Sequence, residues 1–222
     1  MTQDLTALSS TRDRNLADLL RSGPVVPVIT LERVEDAVPL ARALVAGGLK
    51  LLEITLRTPA AADCAAAIIG EVPEAIVGIG TVLTPKDLER AQALGARYAL
   101  SPGATPDLLA AASRSEMPFI PGIATASELM AALAHGFHTV KFFPAVPAGG
   151  IPALKALAGP FPQARFCPTG GIDEKNAGEW LALPHVVAVG GSWVCQPSDI
   201  RAQAWDAITA KAKRAVMAAS GG

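Results

Sequence analysis

The sequence predicts an α/β protein, specifically a (β/α)₈ barrel of the TIM type. Eight short runs rich in Val and Ile recur along the 222 residues, with helical patterns between them. Most runs are apolar throughout, as is typical of parallel strands buried on both faces. Their spacing of about 17 to 27 residues suits a repeated strand–helix unit. A doubly wound open sheet is the alternative, because alternation alone does not establish closure.

The strand and helix signals follow one another along the chain. The predicted strands are VVPVI (25 to 29), LLEIT (51 to 55), AIVGIG (75 to 80), RYALS (97 to 101), PFIPG (118 to 122), HTVKFF (138 to 143), ARFCPT (164 to 169) and VVAVG (186 to 190). Two intervening helices begin at Thr84-Pro85 and Thr105-Pro106, which place a cap residue before a proline. Residues 1–22 predict an N-terminal helical extension that either plugs the N-terminal end of the barrel or frays. The whole chain, 1–222, is predicted to form a single domain.

Charge and cysteine usage exclude several function classes. The 19 Lys and Arg against 20 Asp and Glu provide no broad basic surface for nucleic acid or membrane. The three cysteines are far apart and form no CxxC pair, so neither a zinc site nor a disulfide framework is indicated. No secretory signal or transmembrane-length apolar run is apparent. We expect a cytoplasmic protein that acts on a small-molecule substrate.

Polar residues at the ends of strands predict an active site, since a barrel of this kind carries its site at the C-terminal face. In LLEITLRT, alternation directs Glu53, Thr55 and Arg57 into the barrel. An internal ion pair without chemistry is an equal alternative for these charges. In GIGTV, two glycines would let backbone or substrate approach the wall, with the Thr81 hydroxyl facing the same cavity.

Lys141 lies within the apolar strand HTVKFF, and alternation points it inward, across from Glu53. Burial disfavours the charged ammonium, so a lysine placed there suits an amine nucleophile with a carboxylate beside it to move protons. A buried Lys141–Glu53 salt bridge with a purely structural role is the alternative.

Two glycine-rich loops, CPTGGI (167 to 172) and GGSW (190 to 193), follow the seventh and eighth predicted strands. Loops at these two positions often hold a phosphate through backbone N–H groups. No cluster of His, Asp and Glu converges on a metal, and no Ser, His and Asp set is apparent. We therefore expect chemistry without a metal or cofactor.

From PVVPVI to GGSW, the chain resembles the 2-keto-3-deoxy-6-phosphogluconate (KDPG) and 4-hydroxy-2-oxoglutarate (KHG) aldolases, class I aldolases with a (β/α)₈ fold. The motifs that carry the resemblance are LLEITLRT, GIGTV, SPG, IPGIAT, VKFFPA, GPFPQARFCPTGGI and GGSW, in that order. The resemblance implies that Lys141 forms a Schiff base and that Glu53 shuttles protons. It also implies a homotrimer that cleaves KDPG to pyruvate and glyceraldehyde 3-phosphate in the Entner–Doudoroff pathway.

The same resemblance implies the substrate-binding residues. Arg57 and Thr81, with help around Pro102, would hold the pyruvyl carboxylate. The residues implied for the distal and phosphate part of the site are Thr169, Gly170, Gly171 and Ser192. One departure is Val146, which stands where many relatives carry an acid after KFFPA.

Three other functions stay open at this point. A 2-keto-3-deoxy-6-phosphogalactonate aldolase or a KHG aldolase would share Lys141 and differ in distal contacts or stereochemistry. A non-catalytic phosphosugar-binding barrel would use the same glycine loops, but it would have no need of an inward lysine opposite a glutamate.

Overall fold

The structure, a computed structural model, describes Leu16, Leu19, Leu20 and residues 23–220. The strands are β1 (Val25–Ile29), β2 (Leu51–Thr55), β3 (Ile76–Gly80), β4 (Tyr98–Leu100), β5 (Phe119–Ile120), β6 (Gly122–Ile123), β7 (Thr139–Phe142), β8 (Arg165–Phe166) and β9 (Val189–Gly191). The helices are α1 (Ala37–Ala46), α2 (Ala61–Glu71), α3 (Pro85–Ala93), α4 (Pro106–Ser113), α5 (Ala126–Ala134), α6 (Gly150–Ala158), α7 (Ala177–Leu181), α8 (Pro197–Arg201) and α9 (Trp205–Ser220). A single 3₁₀ turn, Val34–Asp36, precedes α1.

The strands are parallel and form two sheets. The larger sheet has the order β5-β4-β3-β2-β1-β9, and the smaller has the order β6-β7-β8. The order runs in one direction and brings the last strand beside the first, whereas a doubly wound sheet reverses direction at a switch point. The predicted α/β class with parallel strands is thus confirmed, with the larger sheet curled into a half-barrel.

The fifth predicted strand is divided into β5 and β6. Pro121 lies between them and has no N–H to donate to a neighbouring strand. Its carbonyl still accepts from the backbone N–H of Lys141 at 2.9 Å. The Ser101 hydroxyl accepts from the backbone N–H of Gly122 at 3.1 Å. The chain therefore continues across the interruption with its polar groups paired.

The two helix starts predicted from a threonine before a proline are confirmed. Thr84 caps α3 and forms a capping box with Asp87, while Thr105 caps α4 by accepting from the backbone N–H of Leu108. Each cap satisfies a backbone donor that a helix start leaves unpaired. A further capping box, between Thr125 and Glu128, begins α5.

Two apolar clusters stabilise the fold. The larger packs the outward faces of the strands against the helices. The smaller contains inward-facing strand residues, among them Val26, Leu51 and Tyr98, together with Leu16, Leu19 and Leu20. These three leucines are helical and buried, and the rest of the predicted extension over 1–22 lies outside the described residues. Within the described part of the chain, no helix is long and apolar enough to cross a membrane.

Candidate active site

Lys141 of β7 and Glu53 of β2 meet inside the fold. Lys141 Nζ donates to both carboxylate oxygens of Glu53, at 2.9 Å to Oε1 and 3.2 Å to Oε2. The two side chains are 3% and 1% exposed. Side chains alternate between the two faces of a strand, and this alternation places Glu53 of β2 and Lys141 of β7 on the inner face. A buried pair in this geometry keeps each charge compensated, and it places an amine within proton-transfer distance of a carboxylate.

Gly78 and Gly80 of β3 make room for the side chains of neighbouring strands. A Cβ at Gly80 would lie 2.2 Å from Glu53 Oε1, and a Cβ at Gly78 would lie 2.2 Å from Tyr98 Cζ. The expectation that backbone or substrate approaches the wall at these glycines is therefore wrong, because protein side chains occupy the space. The missing Cβ of Gly80 instead leaves room for the Glu53 carboxylate, and that of Gly78 leaves room for the Tyr98 ring.

Aromatic and thiol groups surround the ion pair. Lys141 Nζ lies 5.6 Å from the ring centroid of Phe143, within cation–π range. Burial raises the pKa of the Tyr98 phenol well above its usual value, and the Glu53 charge adds to that effect. Burial also raises the pKa of the Cys167 thiol to about 12, although Lys141 acts in the opposite direction. The thiol is therefore neutral, which leaves the Lys141 amine as the candidate nucleophile of this centre.

A pocket of about 240 Å³ opens next to this centre. Of the residues predicted from sequence, Arg57, Thr169, Gly170, Gly171 and Ser192 line it. The other lining residues are Val28, Thr30, Phe143, Ile172, Gly191, Cys195 and Pro197. Lys141 and Glu53 are not themselves among the lining residues, and Phe143 connects the two regions by contacting the lysine and lining the pocket.

Arg57 reaches the pocket from a turn. Alternation predicted it as an inward strand residue, but β2 ends at Thr55 and Arg57 is exposed. Its guanidinium forms no ion pair with any residue that the structure describes. A guanidinium with this freedom can bind a carboxylate through two parallel hydrogen bonds.

Thr81 and Pro102 adjoin residues that neighbour the Lys141–Glu53 pair. Thr81 follows Gly80, which packs on the Glu53 carboxylate, and it adopts a positive φ of 61°. Pro102 packs its backbone against Gly122, the β6 residue that pairs with Lys141. Neither residue is part of the pocket lining. The structure therefore separates the predicted residues into one group beside the pair and another around the pocket.

The glycine-rich loops are held together by close backbone packing. Gly170 and Gly171 both have positive φ, 101° and 79°, which a residue with a side chain adopts only with strain. A Cβ at Gly171 would lie 2.6 Å from Val146 Cβ, and one at Gly190 would lie 2.3 Å from Thr169 Oγ1. The Val146 and Ala145 amides donate to carbonyls of Gly170 and Thr169. The departure at Val146 thus lies at the edge of the predicted phosphate region.

Sequence reasoning missed Thr30 and the pocket position of Phe143. Thr30 follows β1 directly, which is the strand-end position that such a fold favours for functional residues. That position alone could have marked it. In the described part of the chain, no group of three or more His, Cys, Asp or Glu residues is placed to hold a metal ion.

Known proteins match this chain over most of its length. A family model described as KDPG and KHG aldolase matches residues 16–211. The chain is 52% identical over 198 residues to the KHG/KDPG aldolase of Escherichia coli K12, covering 89% of this chain and 93% of that protein. It is 51% identical over 202 residues to the 2-dehydro-3-deoxy-phosphogluconate aldolase of Dickeya dadantii, covering 91% and 95%.

Solved structures are similar over the same length. The KDPG aldolase of Legionella pneumophila, with pyruvate captured as a covalent carbinolamine intermediate, has a TM-score of 0.88 and 48% identity, covering 90% of this chain and 97% of that one. The KDPG aldolase of Zymomonas mobilis with 3-phosphoglycerate has a TM-score of 0.84 and 46% identity, covering 90% and 93%.

Proposed function

The chain belongs to the family of KDPG and KHG aldolases, and we propose that it is a class I aldolase that cleaves KDPG to pyruvate and glyceraldehyde 3-phosphate in the Entner–Doudoroff pathway. The observation that carries this function is the buried Lys141–Glu53 pair, with Nζ 2.9 Å from the carboxylate. A structural pair would need no pocket beside it. Here the pocket is lined by a guanidinium without an ion pair among the described residues and by glycine loops.

The reaction begins with the amine. Glu53 takes a proton from the Lys141 ammonium, to which it is already hydrogen-bonded. Neutral Nζ then attacks the C2 ketone, the carbonyl oxygen is protonated, and a carbinolamine forms. Loss of water, with Glu53 returning the proton, leaves a protonated imine on Lys141.

Cleavage follows from the imine. The iminium withdraws electrons from the bond between C3 and C4, while the Glu53 carboxylate takes the proton of the C4 hydroxyl. The C3–C4 electron pair becomes the double bond of an enamine, and C4 leaves as the aldehyde of glyceraldehyde 3-phosphate. Protonation of the enamine at C3 and hydrolysis of the imine release pyruvate and regenerate Lys141.

Binding residues hold the two ends of the substrate. We assign the pyruvyl carboxylate to Arg57, whose forked donors match a carboxylate, with Thr81 and Pro102 beside the Lys141–Glu53 pair. The distal phosphate is assigned to the side of the pocket lined by Thr169, Gly170, Gly171 and Ser192. When both ends of the substrate are held, the scissile bond is oriented toward the reacting groups, and this orientation lowers the barrier to cleavage.

A closed eight-stranded barrel is part of the same proposal, with β5 and β6 counted as one strand. Continuity of the chain through Pro121 supports it, as do the isolated parallel bridges Phe166–Val186 and Thr169–Gly190 between the region of β8 and that of β9. We further propose a homotrimer, which the family resemblance implies, and a single domain over 1–222 and a cytoplasmic location, which the sequence features favour. Light scattering coupled to size-exclusion chromatography would measure the mass of the assembly.

A pyruvate-release assay tests the function. Purified protein is mixed with KDPG, and pyruvate is followed with lactate dehydrogenase in the presence and absence of EDTA. We expect release at an unchanged rate with EDTA, because the amine and the carboxylate carry the reaction. If no pyruvate is released, the aldolase function is wrong and a non-catalytic phosphosugar-binding protein is the alternative that stays open. Parallel assays with the C4 epimer of KDPG and with KHG measure the substrate preference within the family. If either compound has a higher kcat/KM than KDPG, that compound is the preferred substrate.

A further inference from the structure

Thr30, which follows β1, takes part in a short chain of hydroxyl groups. Its Oγ1 lies 2.9 Å from Thr55 Oγ1. The Thr55 hydroxyl is buried and donates to the backbone carbonyl of Ile29 at 2.9 Å. Thr30 itself is half-buried and lines the pocket.

The direction of this chain is fixed by proton counting. A threonine hydroxyl has one proton to donate and two lone pairs to accept with. Since the Thr55 proton is used on the Ile29 carbonyl, Thr30 must be the donor in the contact between the two hydroxyls. The Thr30 oxygen is then left with acceptor capacity alone. It can bind a hydroxyl of a ligand, but it has no proton to offer a phosphate or a carboxylate.

The position of Thr30 in the sheet indicates which ligand group it meets. Strand β1 lies between β2 and β9. Arg57 follows β2, while Gly191 ends β9 and Ser192 comes next, so Thr30 lies between the guanidinium and the distal loop. If a substrate extends from the guanidinium to the loop, its middle carbons lie next to Thr30.

From this geometry we infer that Thr30 is a specificity-determining residue that accepts a hydrogen bond from the C5 hydroxyl of a phosphorylated 2-keto-3-deoxy acid. The inference rests on the proposed function, in which Glu53 acts on the C4 hydroxyl. C5 is the next carbon toward the phosphate, and its hydroxyl supplies the donor that Thr30 lacks. Thr55 is a positioning residue, because it fixes the direction of the Thr30 proton.

The test uses the condensation direction, in which the aldehyde supplies C5. Pyruvate is condensed either with glyceraldehyde 3-phosphate or with 3-oxopropyl phosphate, which lacks the hydroxyl that becomes the one on C5. Thr30→Val keeps the shape and removes the acceptor. We expect kcat/KM with glyceraldehyde 3-phosphate to fall roughly three- to tenfold, the scale of one neutral hydrogen bond, and kcat/KM with 3-oxopropyl phosphate to stay unchanged.

Two further variants complete the experiment. Thr30→Ser keeps the hydroxyl and should retain the preference of the wild type, whereas Thr30→Ala should lose it as Thr30→Val does. An equal loss on both aldehydes in the Val and Ala variants would overturn the inference and leave Thr30 a packing residue. If the wild type condenses pyruvate with neither aldehyde, the proposed function itself fails, and that result is distinct from an equal loss.

Discussion

Leu51 and Glu53 lie two residues apart on the same face of β2, and they are buried to the same degree, at 2% and 1% exposure. Leu51 packs in the apolar cluster with Tyr98 and the described leucines of the N-terminal segment. Glu53, toward the C-terminal end of the strand, is paired with Lys141. Equal burial thus has opposite consequences, because apolar burial stabilises the fold and a buried charge costs free energy unless it is paired.

The difference teaches that stability and chemistry are carried by opposite ends of the strands. Replacing a buried ion pair with apolar side chains often leaves a protein equally or more stable, so the Lys141–Glu53 pair is poorly explained by stability. At the N-terminal ends of the strands, the inner face carries apolar side chains that pack together. Turnover and thermal stability, measured for the same variants, distinguish the contributions of the two ends.

Lys141→Met has the largest expected effect. Without an amine no imine forms, so turnover should fall by at least about a thousandfold. The melting temperature should also fall, because Glu53 loses its buried partner, and Lys141→Met combined with Glu53→Leu should recover part of that loss without activity. Lys155→Met, at an exposed position on α6, is the control and should resemble the wild type. Turnover retained in Lys141→Met would exclude Lys141 as the nucleophile.

Glu53→Gln is expected to slow turnover by roughly a hundredfold or more, the usual scale for a lost acid–base group. The amide has the same shape, and its oxygen can still accept from Lys141, so circular dichroism should show an unchanged fold. The control is Glu174→Gln, a change to a carboxylate that pairs with Arg214 at the surface. Turnover equal to that of the control would return Glu53 to a structural role.

Gly80→Ala tests whether the glycine positions the carboxylate. The new methyl would lie 2.2 Å from Glu53 Oε1, so the carboxylate must move. Because small displacements of a reacting group have large effects on rate, we expect a loss of roughly tenfold to a hundredfold in kcat. Gly70→Ala, in helix α2 with open space at its Cβ, provides the matched control. Equal kcat in the two variants would show that Glu53 tolerates the methyl.

Leu51→Ala should affect turnover least and stability most clearly. Removing a buried leucine from the apolar cluster costs about 2–5 kcal/mol, which a denaturant titration would measure. The kcat of the folded fraction should stay at the wild-type value, because the side chain lies on the opposite side of Glu53 from the pocket. A change in kcat comparable to that of Gly80→Ala would contradict the separation of the two ends.

Much of the fold and the central pair could be predicted from sequence. Apolar runs predicted five of the strands, β1 to β4 and β7, to within one residue at each end, since burial on both faces leaves a strong compositional signal. Alternation within two of these runs directed Glu53 and Lys141 to the same face, and the structure places them together. Thr84 and Thr105 were recognisable as caps because the chemistry of a cap is local.

Other features depend on contacts between distant segments. The end of β2 at Thr55, which moves Arg57 into a turn, has no marker in the sequence LLEITLRT. Gly78 and Gly80 accommodate Tyr98 and Glu53, side chains that alternation along one strand cannot relate to them. The role of Thr30 depends on a hydrogen bond to a residue 25 positions away, and only the pairing of β1 with β2 brings the two hydroxyls together.

Trapping of the Schiff base tests the central claim most directly. Sodium borohydride is added to the protein in the presence of pyruvate, and the product is digested and mapped by mass spectrometry. We predict one stable pyruvate-derived adduct, on the peptide that contains Lys141, and none in Lys141→Met. No adduct in the wild type, or an adduct on another lysine, would contradict the assignment of Lys141 as the nucleophile.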